Sequence, residues 1–261
     1  MVDNGYSRLI YERERVDDLQ FKGLKIIQNI DKFCFGMDAV LLSHFADAKK
    51  GEQVVDLGTG TGIIPILLSG RSEVSKIYGV EIQPDMADMA RRSVLLNGLQ
   101  DRIEIVTGDL RESPYYLGIG KFQLVVSNPP YKKAGSGLIN PSDAKAISRH
   151  EILCTLEDVL DAAKKLLADR GRLVMVHRPE RMVDILYGMR QRGLEPKRVR
   201  LVHGTVNKPP SMMLIEAVKG GKPHLTWMSP LIIYDDRGNM TDEVKEIYHL
   251  EVEEQRSQVG E

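Results

Sequence analysis

The sequence predicts a mostly parallel α/β sheet of seven strands, with helices on both faces and an antiparallel hairpin at its C-terminal end. Three observations carry that expectation. Short apolar runs alternate with helical segments from Gln53 to Arg192, as parallel strands joined by right-handed crossovers do. The turn Gly58-Thr59-Gly60-Thr61-Gly62 joins the first of those runs to its helix. The last two runs, Lys197 to His203 and Ser211 to Val218, have only Gly204 to Pro210 between them, short enough for an antiparallel return.

Each element has its own signal. Gln53 to Leu57 is a short apolar run bounded by Gly51 and Gly58, which reads as a buried strand. Ile63 to Leu68 starts a helix, and Lys76 to Val80 is a second strand. Pro84 opens a helix to about Asn97, with Met86, Met89, Ala90, Val94 and Leu95 at helical spacing and Asn97-Gly98 as its stop. Arg102 to Val106 and Phe122 to Ser127 are the third and fourth strands. Glu151 to Leu167 reads as one helix with Ile152, Leu156, Val159, Leu160, Ala163 and Leu167 on a single face, and Glu151 suits its N-terminus. Gly171 to His177 is the fifth strand, and a helix from Glu180 to Arg192 ends at Gly193. The first fifty residues read as a polar stretch to about Asp18, then a partly amphipathic one from Gly23 to Ala46.

Composition narrows the classes. With 261 residues and 42% apolar content, one large α/β domain can bury an ample core. No apolar run reaches the roughly 18 residues a membrane helix needs, and the start lacks the basic-then-apolar pattern of a secretory signal. Cys34 and Cys154 are far apart with no Cys-x-x-Cys spacing, so neither a disulfide framework nor a metal site is expected; both read as core residues in a reducing cytoplasm. The net charge of −1 argues against indiscriminate coating of nucleic acid, and no DNA partner is expected. Charge is nonetheless uneven: Lys164 to Lys222 holds 14 Lys and Arg against 5 Asp and Glu. From Asp242 onward, 7 acids stand against 2 bases, a tail whose composition is compatible with disorder.

The glycine turn lets the backbone bend sharply and approach a ligand without Cβ clashes. Its spacing is Gly-x-Gly-x-Gly and no Lys-Ser/Thr follows, which excludes a P-loop. Acidic residues fall just beyond successive strands. Asp56 ends the first, Glu81 followed by Ile82 ends the second, and Asp109-Leu110 follows the third. A carboxylate at Glu81 can accept two ribose hydroxyls, and Asp109 is placed for an adenine amino group. No phosphate cradle of cations is present.

Asn128-Pro129-Pro130-Tyr131 follows the fourth strand. A planar amine or amide nitrogen is a poor nucleophile because its lone pair is delocalised. The Asn128 side-chain oxygen and the Pro129 carbonyl can accept both of its hydrogens, and proline supplies no competing N–H. Tyr131 can stack on the planar group, a contact worth about 1–3 kcal/mol for a nucleobase.

These two motifs, in this order, resemble the class I S-adenosylmethionine (SAM)-dependent methyltransferases of the nitrogen-methylating branch, over about Leu24 to Val218. The resemblance implies a Rossmann-like fold, SAM as cofactor, and a site with catalytic Asn128, Pro129, Pro130 and Tyr131. It implies cofactor contacts at Asp56, near the methionine ammonium, and at Gly58, Thr59, Gly60, Gly62, Glu81, Ile82, Asp109, Leu110 and Asn128. The stretch Lys32-Phe33-Cys34-Phe35-Gly36-Met37-Asp38-Ala39-Val40-Leu41-Leu42, with Arg149-His150-Glu151, is similar to the bacterial tRNA adenine-N6 methyltransferases that act on a valine tRNA. By that likeness the 33–42 segment covers the cofactor and Asp38 lines its pocket; Cys34 stands where a basic residue would be unsurprising. The same tetrapeptide occurs in glutamine-N5 methyltransferases of release factors, which usually carry a longer N-terminal domain, and an rRNA base-amine methyltransferase is a further alternative. The expected organisation is a lead-in over 1–50, a methyltransferase domain over 51–222 and an extension over 223–261. A monomer is assumed. Arg178, Arg181, Lys208 and the run Lys197-Arg198-Val199-Arg200 are candidates to grip RNA phosphates, with 132–148 as a mobile loop over the base. His150 has no acid–base role that the chemistry requires.

Overall fold

The computed structural model describes residues 8–31, 36–129 and 154–250. The first elements among the described residues are a two-stranded antiparallel hairpin, β1 (Glu14–Asp18) and β2 (Lys25–Asn29), followed by helix α1 (Met37–Phe45). Then come β3 (Gln53–Leu57), α2 (Ile63–Arg71), β4 (Lys76–Glu81), α3 (Pro84–Leu96), β5 (Ile103–Thr107), the short α4 (Ser113–Leu117) and β6 (Phe122–Ser127). After the segment outside the described residues follow α5 (Leu156–Leu166), β7 (Leu167–His177), α6 (Met182–Gln191), β8 (Leu194–His203) and β9 (Pro210–Lys219). Two short strands, β10 (Thr226–Trp227) and β11 (Leu231–Ile232), and helix α7 (Asp242–Tyr248) complete it.

The main sheet runs β10-β8-β9-β7-β6-β3-β4-β5, with β11 also on β8. Pairing is parallel except where β9 inserts between β7 and β8. The seven expected strands and the antiparallel return are therefore present, and β10 and β11 raise the strand count to nine. Strand alternation sends residues to two cores. Val54, Leu124, Val126, Val174 and Val176 pack with α1, α2, α3 and α7, while Val55, Phe122, Val125, Leu173 and Met175 pack with α5 and α6.

Several boundaries differ from the sequence reading. Thr155, in extended backbone, caps α5 by a reciprocal box: its Oγ accepts from the Asp158 N–H and Asp158 accepts from its own. The helix therefore begins at Leu156, and Glu151 and Ile152 lie outside the described residues. It ends one residue early because β7 already begins at Leu167, reached through a register shift opposite Phe122 and Leu124. On α3, Met86, Met89, Ala90 and Val94 are buried but Leu95 is 51% exposed. At 100° per residue, position 95 rotates off the stripe that 86, 90 and 94 define. Within the lead-in, β1 and β2 form a hairpin that the sequence reading did not identify. The β1–β2 hairpin docks on α3 through Arg92, which bonds Glu14 at 2.6 Å and Asp88 at 2.8 Å, and through Asn97, which pairs with both backbone groups of Lys25. At the start of the acidic tail, Asp242–Tyr248 is helical, with Val244 and Ile247 buried against the first core, and residues 251–261 lie outside the described residues. Cys154 is half-buried with its thiol pushed up to about 12 by burial; Cys34 lies outside the described residues.

Candidate active site

Seven residues lie level across the sheet near its C-terminal edge: Val199, Ile215, Met175, Ser127, Leu57, Val80 and Val106. Every sequence-derived site residue from 56 to 129 falls within a few residues of that row, Asp56 one residue before it and the others beyond it. Parallel strands place their following loops on one side, so ligand sites gather there.

The glycine turn is strained in the way glycine permits. Gly58, Gly60 and Gly62 have φ of 78°, 57° and 86°. A side chain at Gly58 would meet nothing within 4 Å, so the turn leaves an open approach to its backbone, whereas at Gly62 it would press on Ala90 at 3.2 Å. The loop is tied to the next strand at three points. The N–H groups of Gly58 and Thr59 both donate to the Val80 carbonyl at 3.0 Å, and the Gly60 N–H donates to Glu81 Oε2 at 3.0 Å. The other Glu81 oxygen accepts from the Gln83 N–H at 2.9 Å, and the Glu81 carbonyl accepts from Gly108 N–H at 2.9 Å. Glu81 therefore links three consecutive loops with its side chain and backbone.

Asp56 lies beneath the loop and is fully buried, and neither of its oxygens accepts a hydrogen bond from the described residues. Burial, with the Glu81 charge adding to it, pushes its carboxyl up to about 7. The adjacent Thr59 hydroxyl opposes that rise without closing a bond of normal geometry. Asp109 instead has a partner: Arg111 pairs with both carboxylate oxygens and holds its carboxyl below the usual range. Its side chain also accepts the Arg111 N–H, capping a single 3-10 turn that begins at Leu110. Ile82 and Leu110 are half-buried at the same edge.

The structure joins Asp38 and Asn128, which are 90 residues apart. Asn128 Nδ2 donates to Asp38 Oδ2 at 3.0 Å, while Asp38 Oδ1 accepts from the Ala39 N–H at 2.9 Å. A carboxylate only accepts, so the amide nitrogen must face Asp38 and the amide oxygen is turned away from it. Pro129 is buried directly after it. Pro130, Tyr131, the 132–148 loop and His150 lie outside the described residues, as do Phe33, Cys34 and Phe35.

Three positioning residues escaped the sequence reading. Ser127 donates its hydroxyl to the Leu57 carbonyl at 2.9 Å, which clamps the strand before Asn128 to the strand before the glycine turn. Gly79 is required by packing: a Cβ there would lie 2.9 Å from the Thr59 side chain and 2.8 Å from Ile105. His177, at the end of β7, is buried and accepts the Arg178 N–H on Nδ1 at 2.8 Å; burial, then the Arg181 charge, brings its pKa to about 4, so it is neutral. Only Gly79, a glycine inside a strand two residues before Glu81, carried a readable signal.

The basic stretch divides. Arg198 bonds Glu216 at 2.7 Å and lies over the Phe45 ring, and Arg200 bonds Glu243 at 2.6 Å. Glu216 also holds Arg172 at 3.2 Å. Arg198 is half-buried and Arg200 buried, and both neutralise carboxylates within the fold, which corrects their reading as phosphate contacts.

The model of the methyltransferase small domain family matches residues 31–186. The chain belongs to that family. A Porphyromonas gingivalis protein named tRNA1(Val) (adenine(37)-N6)-methyltransferase is 34% identical over 207 residues, covering 77% of this methyltransferase and 80% of the relative. A Parabacteroides distasonis protein of the same name is 31% identical, covering 79% and 88%. Among solved structures, a predicted O-methyltransferase from Agrobacterium tumefaciens superposes with a TM-score of 0.66 at 24% identity, over 82% of this methyltransferase and 96% of that chain. That likeness concerns the fold. The cofactor of the family is SAM, and the site suits it on its own chemistry. The open glycine turn carries no cation that a phosphate would need, and the unpartnered Asp56 carboxylate complements a cationic group.

Proposed function

We propose that this methyltransferase transfers a methyl group to the exocyclic N6 amine of an adenine in tRNA, the anticodon-loop adenine of a valine tRNA by the names of its relatives. The Asp38–Asn128 contact carries the reading from the side of the structure. By fixing the amide orientation it keeps an acceptor directed at an amine, which is the help that a delocalised lone pair needs.

In this reading the stretch 51–222 carries the cofactor and catalytic groups, flanked by the lead-in 1–50 and the extension 223–261. Gly58, Thr59, Gly60 and Gly62 give backbone to the cofactor, Glu81 with Ile82 takes the ribose, and Asp109 with Leu110 takes the adenine. Asp56 faces the methionine ammonium. SAM supplies an electrophilic methyl group on sulfonium. The chain's own residues do the positioning: Asn128 Oδ1 and the Pro129 carbonyl accept the two amine hydrogens, and Tyr131 stacks on the base. The amine proton leaves after transfer, so no strong general base is needed. Asp38 acts through Asn128 as a positioning residue. Among the described residues no group of His, Cys, Asp and Glu is arranged to hold a metal, and no helix is long and apolar enough to cross a membrane. We place the activity in the cytoplasm, with a monomeric enzyme.

Incubation with labelled SAM and either total tRNA or purified release factors, followed by nucleoside analysis, tests this. The expected product is N6-methyladenosine in valine tRNA. Label in release factor with none in RNA would replace the reading by glutamine methylation.

A further inference from the structure

Arg198 and Arg200 are paired internally, and the Lys197 ammonium donates to the Lys222 carbonyl, at the opposite sheet edge. The remaining candidates are Arg178, Arg181 and Lys208, and the fold brings these three to the catalytic edge. Ser127, Met175, Ile215 and Val199 are level across β6, β7, β9 and β8. Arg178 and Arg181 follow His177 at the end of β7, and Lys208 belongs to the turn between His203 and Pro210 that joins β8 to β9. All three thus lie beyond that row, on the side of Asn128.

Their bonding differs from that of the internal cations. Arg178 is exposed and donates to the Ser211 carbonyl at 3.0 Å, which tethers it across the β8–β9 turn. Arg181 pairs with Asp184 at 2.6 Å, and that carboxylate is 57% exposed. Exposed pairs of this kind contribute little net stability, so a phosphate can compete for the guanidinium. Lys208 is exposed and its ammonium makes no ion pair with the described residues. Its position is fixed by its backbone: its N–H donates to the Thr205 carbonyl at 3.1 Å, and its carbonyl lies 2.8 Å from His203 Nδ1. The turn is held in addition by the C-terminal extension, whose Tyr234 N–H donates to the Gly204 carbonyl at 2.9 Å.

We propose that Arg178, Arg181 and Lys208 form an RNA backbone rim that grips phosphates flanking the target adenine. This rests on the tRNA reading above. Three strand steps separate β6 from β8, roughly 14 Å at about 4.8 Å per strand, so the rim extends well to one side of the catalytic loop. Phosphate contacts position the substrate without reading its sequence, which suits an enzyme whose catalytic loop does the base recognition. The internal pairs at Arg172 and Arg198 add no contacts, because taking them for phosphate would strand the buried Glu216 carboxylate, and Arg200 is itself buried.

Steady-state methylation of tRNA at several salt concentrations tests the rim. The variants are Lys208→Glu, Arg178→Ala with Lys208→Ala, and Lys222→Ala as a control on the exposed segment after β9, at the opposite sheet edge. The rim variants should raise KM for tRNA about tenfold or more, with kcat and SAM affinity kept. The slope of log(kcat/KM) against log salt should become shallower by about 0.7–0.9 per lost contact. Lys222→Ala should change neither. Unchanged KM and slope in Lys208→Glu would overturn the rim, as would an equal loss in Lys222→Ala, which would reduce the effect to overall charge. If the wild-type enzyme labels no RNA at all, the tRNA reading itself fails, and that result is distinct from loss in the variants alone.

Discussion

Asn128 and Asp38 share a 3.0 Å hydrogen bond across 90 residues of sequence, joining the loop after β6 to the first turn of α1. The bond decides which end of the Asn128 amide faces a substrate. Replacing Asp38 with Ala should lower kcat on the order of 10²-fold, the cost of misplacing a reacting group by about 1 Å. Asp38→Asn should recover much of it, because its amide oxygen still accepts from Nδ2. SAM affinity measured by calorimetry should fall far less than kcat in both. If SAM affinity and kcat fell together, Asp38 would be a cofactor ligand instead.

Asn128→Ala should abolish methyl transfer and leave SAM binding nearly intact. Calorimetry with SAM beside a single-turnover assay checks this. Joint loss would move Asn128 to the cofactor.

Asp56 gives a prediction with a sign. Its carboxyl lies near 7 in the folded protein against an ordinary value of 3.8. The folded state therefore binds more protons than the unfolded one between those values, and the group costs stability increasingly as pH rises towards 7. Asp56→Asn should raise the melting temperature of the SAM-free enzyme at pH 8 and leave it nearly unchanged at pH 4. The same variant should bind SAM at least tenfold more weakly. A wild-type SAM affinity that does not improve from pH 6 to pH 8 would sink the ammonium assignment.

Glu81→Ala removes the acceptor for the Gly60 and Gln83 N–H groups, and with it the proposed ribose contact. Bonds to charged groups are worth about 1.5–3 kcal/mol each, so SAM affinity should drop 10- to 100-fold or more. A saturating SAM concentration should restore most of kcat.

Gly79→Ala probes the packing beneath the loop. The added methyl meets Thr59 and Ile105 at less than 3 Å, and overpacking of this kind costs about 1–3 kcal/mol. Thermal melts should show the loss, and SAM affinity should weaken with it because Thr59 belongs to the turn. A stable variant with normal affinity would mean that Thr59 gives way freely.

The sheet was legible because its strands are buried on both faces and so appear as unbroken apolar runs, Val54-Val55 and Leu124-Val125-Val126 among them. The glycine turn and its acids were legible because each follows a strand end at a fixed spacing. The β1–β2 hairpin was not. Its alternation is masked by Arg15, Asp17 and Gln28, and Arg92 on a distant helix supplies what holds it. Arg198 and Arg200 misled for a related reason. A charge run shows no sign of its partners, and Glu216 and Glu243 come into range only when β9 and α7 have folded. Ser127 was invisible because its role depends on a carbonyl 70 residues away.

Strand β9 enters the sheet between two strands that precede it in the chain. As the polypeptide leaves the ribosome, β3 to β6 are complete at Ser127 and β7 at His177, yet the open edge of β7 waits for Met213 to Val218. That edge carries Leu173 to Val176, all apolar, with their N–H and C=O groups unmatched meanwhile. Exposed apolar edges of this kind pair readily with other chains. Synthesis halted near residue 205 should therefore yield insoluble protein although every proposed cofactor residue has been made, and extension by fifteen residues should restore solubility.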